Sequence, residues 1–194
     1  MLRKTGCLML MLFVSIVFLS ACQPFVFANI PEDEIPDYIK ESIKDLGSDD
    51  SKAKDIVWRV CEERENYTWV AAEYKLEVFG RTENMYAIAI YDSQGSSGGG
   101  ITASMPDDTS FAGGVSSPAG HTARTISAQG FTTDKRIVKI VGTTTTGKQV
   151  ETVPVNGYWC MVLEDPEHNE GWERVAGVNA KGEIVSKLDL PGLK

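Results

Sequence analysis

Residues that could supply a nucleophile and a base occur near the middle of the chain. The run 95–99 has the pattern G-x-S-x-G around Ser97, and His121 follows in the same Gly- and Ser-rich segment, 93–121. A serine nucleophile needs a base within hydrogen-bond reach, and the nucleophile elbow of hydrolases needs a helix directly after the serine. The residues that follow, 101–106, have no helical pattern. The segment therefore predicts a flexible loop, and a hydrolase that uses Ser97 and His121 is the alternative.

Ligands for a metal or a small molecule are scattered. The only histidines are His121 and His168, and no C-x-x-C or H-x-x-x-H spacing for zinc occurs. The acidic segments 107–108 and 164–170 lack the D-x-D-x-D-G spacing of a calcium loop, so they predict solvated loops. We therefore assign no metal, no cofactor and no catalytic residue. The best candidates for contact with a ligand are His121 and Trp172, an aromatic residue in the second acidic loop.

The most specific pattern in the chain lies at its start. Arg3 and Lys4 precede 12 residues without a charge, Leu8 to Leu19. This run is shorter than the ~20 residues of a membrane-spanning helix and has the length of a secretory signal, about 7–15 residues. It ends in the sequence Leu-Ser-Ala-Cys, whose last residue is Cys22.

This ending resembles the lipobox of bacterial lipoprotein precursors. The resemblance covers residues 1–22. It implies that the Cys22 thiol receives diacylglycerol and that cleavage before Cys22 makes it the first residue of the processed chain. It predicts a signal peptide over 1–21, a lipid-anchored tether over 22–32 and a single extracytoplasmic domain over 33–190. The alternatives are a secretory signal that is cleaved after Ala28 and an uncleaved, membrane-embedded start.

Charge and cysteine content restrict the partners. Because Arg3 and Lys4 are the only charged residues of the signal, the rest of the chain has 17 basic and 27 acidic residues, a net charge of −10. This charge excludes nucleic acid as a partner and disfavours electrostatic attraction to anionic membranes and wall polymers. An oxidising compartment would allow Cys61 and Cys160 to form a disulfide.

Two short N-terminal helices are predicted. Ile35, Ile39, Ile43 and Leu46 recur at helical spacing after Pro36. The second helix would begin near Ser51 and bury the apolar stripe Ala53, Ile56, Val57, Val60 and Cys61, which would pack on the strand that contains Cys160.

The remaining chain predicts about eight antiparallel strands. Residues 70–78 alternate in polarity and 85–91 form their hairpin partner, whereas 93–120 predicts a long loop. Asn156-Gly157 predicts a tight hairpin, and the strand Tyr158 to Leu163 is apolar on both faces, as expected of a central, covered strand. We expect a mainly β, sandwich-like domain with two short helices; the alternative is an α+β fold with one curved antiparallel sheet packed on the helices.

The functional expectation follows from these features. The chain is expected to be a lipid-anchored, extracytoplasmic, non-catalytic binding or accessory module of the bacterial cell envelope. Its partners would be the membrane, through the lipid on Cys22, and an unidentified envelope protein or small ligand. The alternative is an envelope hydrolase with its site in the 93–121 segment.

Overall fold

Three antiparallel sheets and one helix form the domain. The computed structural model describes residues 28–48, 51–92, 97–104, 110–116, 125–167 and 170–190. A single 3-10 turn (Glu32–Glu34) precedes helix α1 (Asp37–Lys44). The strands are β1 (Gly47–Ser48), β2 (Ser51–Lys52), β3 (Lys54–Glu63), β4 (Tyr67–Val78), β5 (Arg81–Asp92), β6 (Ser97–Ser104), β7 (Phe111–Ser116), β8 (Thr125–Thr132), β9 (Lys139–Thr144), β10 (Gln149–Thr152), β11 (Tyr158–Glu164), β12 (Trp172–Val178) and β13 (Ile184–Asp189).

The strand orders define the three sheets. Sheet 1 has the order β3-β4-β5-β6, sheet 2 the order β11-β8-β7 and sheet 3 the order β10-β9-β12-β13, while β1 and β2 pair only with each other. The mainly β, sandwich-like prediction is confirmed, and the alternative of a single curved sheet is wrong. No helix in the described ranges is long and apolar enough to span a membrane.

Three hydrophobic clusters separate the layers. The first contains Ile39 of α1 and Val70 of sheet 1, and it covers the outer face of that sheet. The second joins sheets 1 and 2 through residues such as Ile88 and Tyr158. The third joins sheets 2 and 3 and includes Trp159. Sheet 2 is therefore covered on both faces, as its apolar strand β11 predicted.

The first predicted helix is confirmed. It begins after Pro36, and the buried residues Ile39 and Ile43 lie on its face toward sheet 1. Because Ile35 is buried against the same cluster, the apolar spacing in the sequence matches the packed face.

The second predicted helix, over residues 51–63, is wrong: this segment forms β3, the edge strand of sheet 1. Two β-bulges insert one residue each, between Lys54 and Val57 and between Trp58 and Val60. A bulge changes which residues point to a given face. Trp58 therefore packs in the first cluster and Val60 in the second, so the strand has apolar residues at a spacing that resembles a helix.

The predicted loop over 93–120 contains two strands. Strand β6 pairs with β5 and strand β7 pairs with β8, and both are rich in glycine. Glycine within a strand often marks a close approach of other atoms, and a Cβ atom on Gly113 would lie 2.6 Å from the Trp159 ring. The parts 93–96, 105–109 and 117–120 of the predicted loop lie outside the described residues.

The predicted turn at Asn156-Gly157 is present, but its flanking strands do not pair as a hairpin. Both turn residues have positive φ, 48° and 79°, as a type I′ turn requires. Only Val155 and Tyr158 form a bridge across the turn. Beyond it, β10 belongs to sheet 3 and β11 to sheet 2, so this turn passes the chain between two layers.

The turns of the three sheets gather at two ends. Asn66 of sheet 1 contacts Glu164 of sheet 2, and Trp172 of sheet 3 donates to Ile126 of sheet 2, which shows that the layers are aligned. We call the base the end that contains the turn residues 79–80, 133–138, 153–157 and 179–183. We call the apex the opposite end, which contains the turn residues 64–66, 145–148, 165–167 and 170–171.

Candidate functional site where the N-terminal chain meets the sheets

A partly buried ion pair within sheet 1 is linked to sheet 2 by Tyr158, next to the base turn 153–157. Arg59 Nη2 lies 2.6 Å from Glu73 Oε2, and the Tyr158 hydroxyl donates a 2.7 Å hydrogen bond to Glu73 Oε1. Arg59 is the extra residue of the second bulge of β3, Glu73 lies on β4, and Tyr158 begins β11. The bulge places Arg59 on the same side of sheet 1 as Glu73, where it can form the ion pair.

The electrostatics of this cluster are those of a structural link. The side chains of Arg59 and Glu73 are only 16% and 22% exposed. Burial, together with the hydrogen bond to Glu73 and the charge of that carboxylate, raises the pKa of the Tyr158 phenol far above its ordinary value. The phenol therefore stays protonated and acts as a donor. Because both Glu73 oxygens accept hydrogen bonds, this carboxylate is arranged to hold its neighbours together rather than to accept a substrate proton.

The N-terminal chain joins the domain at the same place. Arg59 Nη1 donates to Asn29 Oδ1, and the Ile30 amide donates a 2.9 Å hydrogen bond to Trp58 O. Asn29 and Ile30 fall within the predicted tether, 22–32, yet they are already bonded to β3. The described part of the chain is thus attached to the domain from its first residues.

Asn156 completes the junction. Its Nδ2 donates to Arg59 O at 2.7 Å and to Ala28 O at 3.4 Å. The positive φ of Asn156 suits an asparagine, and the tight turn directs its side chain toward the edge of sheet 1. Arg59 of β3 therefore binds the entering chain, and Asn156 binds both the entering chain and β3.

The residues singled out by the sequence are not brought together in the described structure. Cys22, His121 and His168 lie outside the described residues. Ser97 begins β6, where it pairs with Tyr91 of β5.

The structure gives no support to the possible disulfide between Cys61 and Cys160. Cys61 and Cys160 are both free thiols. Cys61 packs at the rim of the first cluster, whereas Cys160 is buried in the second, so they belong to opposite faces of sheet 1. The helix that was expected to bring Cys61 onto the strand of Cys160 is itself a strand, which removes the basis of the prediction. Burial raises the pKa of both thiols.

Trp172 is a core residue rather than an exposed loop residue. It begins β12, is almost fully buried in the third cluster, and donates from Nε1 to Ile126 O at 3.2 Å. A side chain in this position has no surface to offer a ligand. The acidic loop before it ends at Gly171, because Trp172 already belongs to β12.

Part of the acidic loop is also less solvated than predicted. Glu170 is buried, and its carboxylate accepts hydrogen bonds from the Thr146 hydroxyl at 2.8 Å and the Glu167 amide at 3.1 Å. Both bonds lower the pKa of Glu170, and the bond from Thr146 has the larger effect. No group of three or more potential metal ligands occurs among the residues that the structure describes.

Sequence analysis missed the Arg59–Glu73–Tyr158 link. One signal that pointed to this region was Asn156-Gly157, which was interpreted as a hairpin turn. A second signal was available: Arg59 is a charged residue within the apolar run of β3.

Comparison with known proteins identifies no relative of this chain. No protein-family model matches the chain, and neither a curated protein nor a solved structure matches it.

Proposed function

We propose that this chain is a bacterial lipoprotein, held by lipid on Cys22 at the extracytoplasmic face of the cell membrane, whose β domain is a non-catalytic binding or accessory module of the envelope. The observation that carries the proposal is the sequence Leu-Ser-Ala-Cys directly after 12 uncharged residues. Small residues before a cysteine at this place are the pattern of lipid attachment, and two acyl chains suffice for stable anchoring.

The junction near the base is compatible with a short tether. From Ala28 onward the chain is bonded to the domain through Arg59, Trp58 and Asn156. A lipid on Cys22 would therefore hold the whole domain close to the membrane by a few residues.

Lipid attachment is tested by metabolic labelling with palmitate and by partition into detergent. The wild-type chain should incorporate label and enter the detergent phase. Cys22→Ala should do neither, while Cys7→Ala, which removes the other cysteine of the signal region, should behave as wild type. Unlabelled wild-type protein that begins at Asn29 would mean that the chain is an ordinary secreted protein.

The non-catalytic assignment is supported by the arrangement of the buried polar groups. Glu73 has both oxygens engaged, and Tyr158 is held in its protonated form. The hydrolase alternative receives less support because Ser97 lies at the start of an edge strand and no helix follows it. The double variant Ser97→Ala/His121→Ala should retain every envelope phenotype of the wild type; loss of that phenotype with normal folding would favour the hydrolase.

A further inference from the structure

The entry point of the chain limits how far the domain can be from the proposed anchor. Ala28 O accepts from Asn156 of the turn 153–157, and the Ile30 amide donates to Trp58 O in the middle of β3. The chain therefore enters the described structure between this base turn and the edge of sheet 1. Five residues lie between Cys22 and Ala28, so the link comprises six steps from one Cα atom to the next. Since an extended chain advances at most about 3.6 Å per residue, this link is no longer than about 22 Å. This length keeps the entry point of the domain within about 22 Å of the lipid on Cys22.

Exposed apolar side chains concentrate toward the base. Among the described residues, five large hydrophobic side chains are exposed, and four of them lie in or beside the base turns. These four are Phe79 (102% exposed), Val153 (64%), Ile184 (62%) and Val138 (46%). Single exposed apolar residues are normal on a soluble protein. Four toward one end of the domain, with Phe79 at the tip of the β4–β5 hairpin, favour this end as a surface for contact.

Phe79 has no structural reason to be at its position. It forms the two-residue turn between β4 and β5 with Gly80, and both residues have positive φ, 50° and 75°. Such a turn favours asparagine, aspartate or glycine, and positive φ is unusual for a bulky side chain. Phe79 therefore costs folding energy without packing against the domain, which points to a role outside it.

The charges are also divided between the two ends, although the net charge is strongly negative. Among the described residues, the base turns and the strand residues next to them have five basic and two acidic side chains, whereas the corresponding apex residues have two basic and six acidic ones. The basic side chains of the base are Arg81, Lys135, Arg136, Lys139 and Lys181. Of these, Arg136 forms an ion pair with Asp134, and Lys139 forms one with Glu151. The acidic ones of the apex are Glu63, Glu65, Glu164, Asp165, Glu167 and Glu170.

We propose that the base of the domain rests on the bilayer, with Phe79 inserted at the level of the lipid headgroups and the base cations facing anionic lipids. This inference rests on the proposed lipid anchor at Cys22. Aromatic rings are favoured at the membrane interface, and lysine and arginine near an anionic surface are attracted to it. The acidic apex then points away from the membrane. Repulsion between its carboxylates and anionic lipids favours the same orientation. The apex is left as the surface that faces the envelope.

The test uses the full-length, lipidated protein in vesicles of phosphatidylethanolamine and phosphatidylglycerol. A photoreactive benzoylphenylalanine replaces Phe79 in one sample and Lys148, an exposed apex residue, in the matched control. Irradiation should give lipid adducts from position 79 at ten or more times the yield from position 148. Adducts of position 79 with protein, with a second copy of the chain, or with nothing would overturn the orientation.

A second variant separates this contact from folding. Phe79→Asn suits the turn and should fold normally, but it lacks the ring that would hold the 78–81 hairpin against the bilayer. In vesicles, the amides of this hairpin in the wild type should exchange about tenfold more slowly than in Phe79→Asn, while the apex turn 145–148 should exchange equally in both. Equal exchange of the hairpin in the two proteins would contradict the inference.

The two proposals fail in different ways. Detergent partition of the same samples reports the anchor independently of the photoreaction. Protein that stays in the aqueous phase refutes the lipid anchor and, with it, the orientation. Protein that is anchored but gives no lipid adducts from position 79 refutes the orientation alone.

Discussion

The hydroxyl of Tyr158 lies 2.7 Å from Glu73 Oε1, and this bond connects the first residue of β11, in the middle sheet, to β4 of sheet 1. The same carboxylate holds Arg59 on its other oxygen. Arg59 in turn binds Asn29, so two sheets and the entering chain share one carboxylate. Removal of Glu73 or Tyr158 should therefore loosen both the layer contact and the attachment of the N-terminal chain.

Tyr158→Phe should destabilise the domain by about 1.5–3 kcal/mol, the usual value of a hydrogen bond to a charged group. The ring would still fill its place in the second cluster, so the loss reports the hydroxyl alone. Urea unfolding checks the value. Tyr38→Phe is the control, since Tyr38 is exposed and its ring contact with Tyr91 does not need the hydroxyl. Equal stability of Tyr158→Phe and wild type would mean that the bond contributes nothing.

Local periodicity predicted the fold where the strands are regular. The alternation of β4 and the double-sided apolar character of β11 both follow from their burial in the structure. β3 was misassigned because its two bulges interrupt the alternation of faces at two places within ten residues. A bulge is defined by the pairing with the partner strand. A pattern read along one segment of the sequence therefore does not reveal it.

The glycine-rich strands were missed for a related reason. Glycine has low strand propensity, so composition indicated a loop for 93–120. In β7 the glycine is required by a neighbour far along the chain, since Gly113 lies against Trp159. The information that makes this segment a strand thus belongs to the third cluster and not to the segment itself.

The candidate site was also beyond local patterns. Arg59 and Glu73 are 14 residues apart, and Glu73 and Tyr158 are 85 apart. Their contact depends on the second bulge of β3 and on the stacking of two sheets. A charged residue in an apolar strand indicates that a partner exists, but it does not identify the partner.

Cys61 and Cys160 should both be reactive thiols in the unfolded chain. Alkylation in denaturant without reductant should therefore modify both. In the folded protein, Cys160 should react at least about tenfold more slowly than Cys61, because it is buried and burial raises its thiol pKa. Peptide mass spectrometry measures both rates, and a Cys61–Cys160 linked peptide would contradict the free thiols.

Glu170 should make the stability of the domain depend on pH in the acid range. Its hydrogen bonds lower its pKa below the ordinary value of 4.5. The stabilisation is therefore complete above that value and is lost as the pH falls through the lower folded-state pKa. Glu170→Gln should reduce stability at pH 7 and make little difference at pH 3, as measured by thermal unfolding. Glu65→Gln, at an exposed apex residue, serves as the control; equal losses for Glu170→Gln at both pH values would contradict the linkage.

Phe79→Asn should stabilise the domain by about 0.5–1 kcal/mol, because asparagine accepts positive φ more readily than phenylalanine. Phe79→Val should act in the opposite direction, since a β-branched residue is less tolerant of this conformation. Urea unfolding of the three proteins gives the order. A lower stability of Phe79→Asn than of wild type would show that the ring packs on the domain and would remove one support for its contact with the membrane.

Neighbouring glycines in β7 should respond differently to the same substitution. A Cβ atom on Gly113 would lie 2.6 Å from both Gln129 O and Trp159 Cζ2, and neither a sheet backbone nor a fully buried ring can move away cheaply. Gly113→Ala should therefore cost about 1–3 kcal/mol, as overpacking of a core does. At Gly114 the nearest atom to a new Cβ is Ile101 Cγ2 at 3.7 Å, an ordinary contact. Gly114→Ala should thus be neutral or stabilise by about 0.4–1 kcal/mol through the unfolded chain. Urea unfolding decides the matter: similar stabilities for the two variants would mean that Trp159 does not lie against β7.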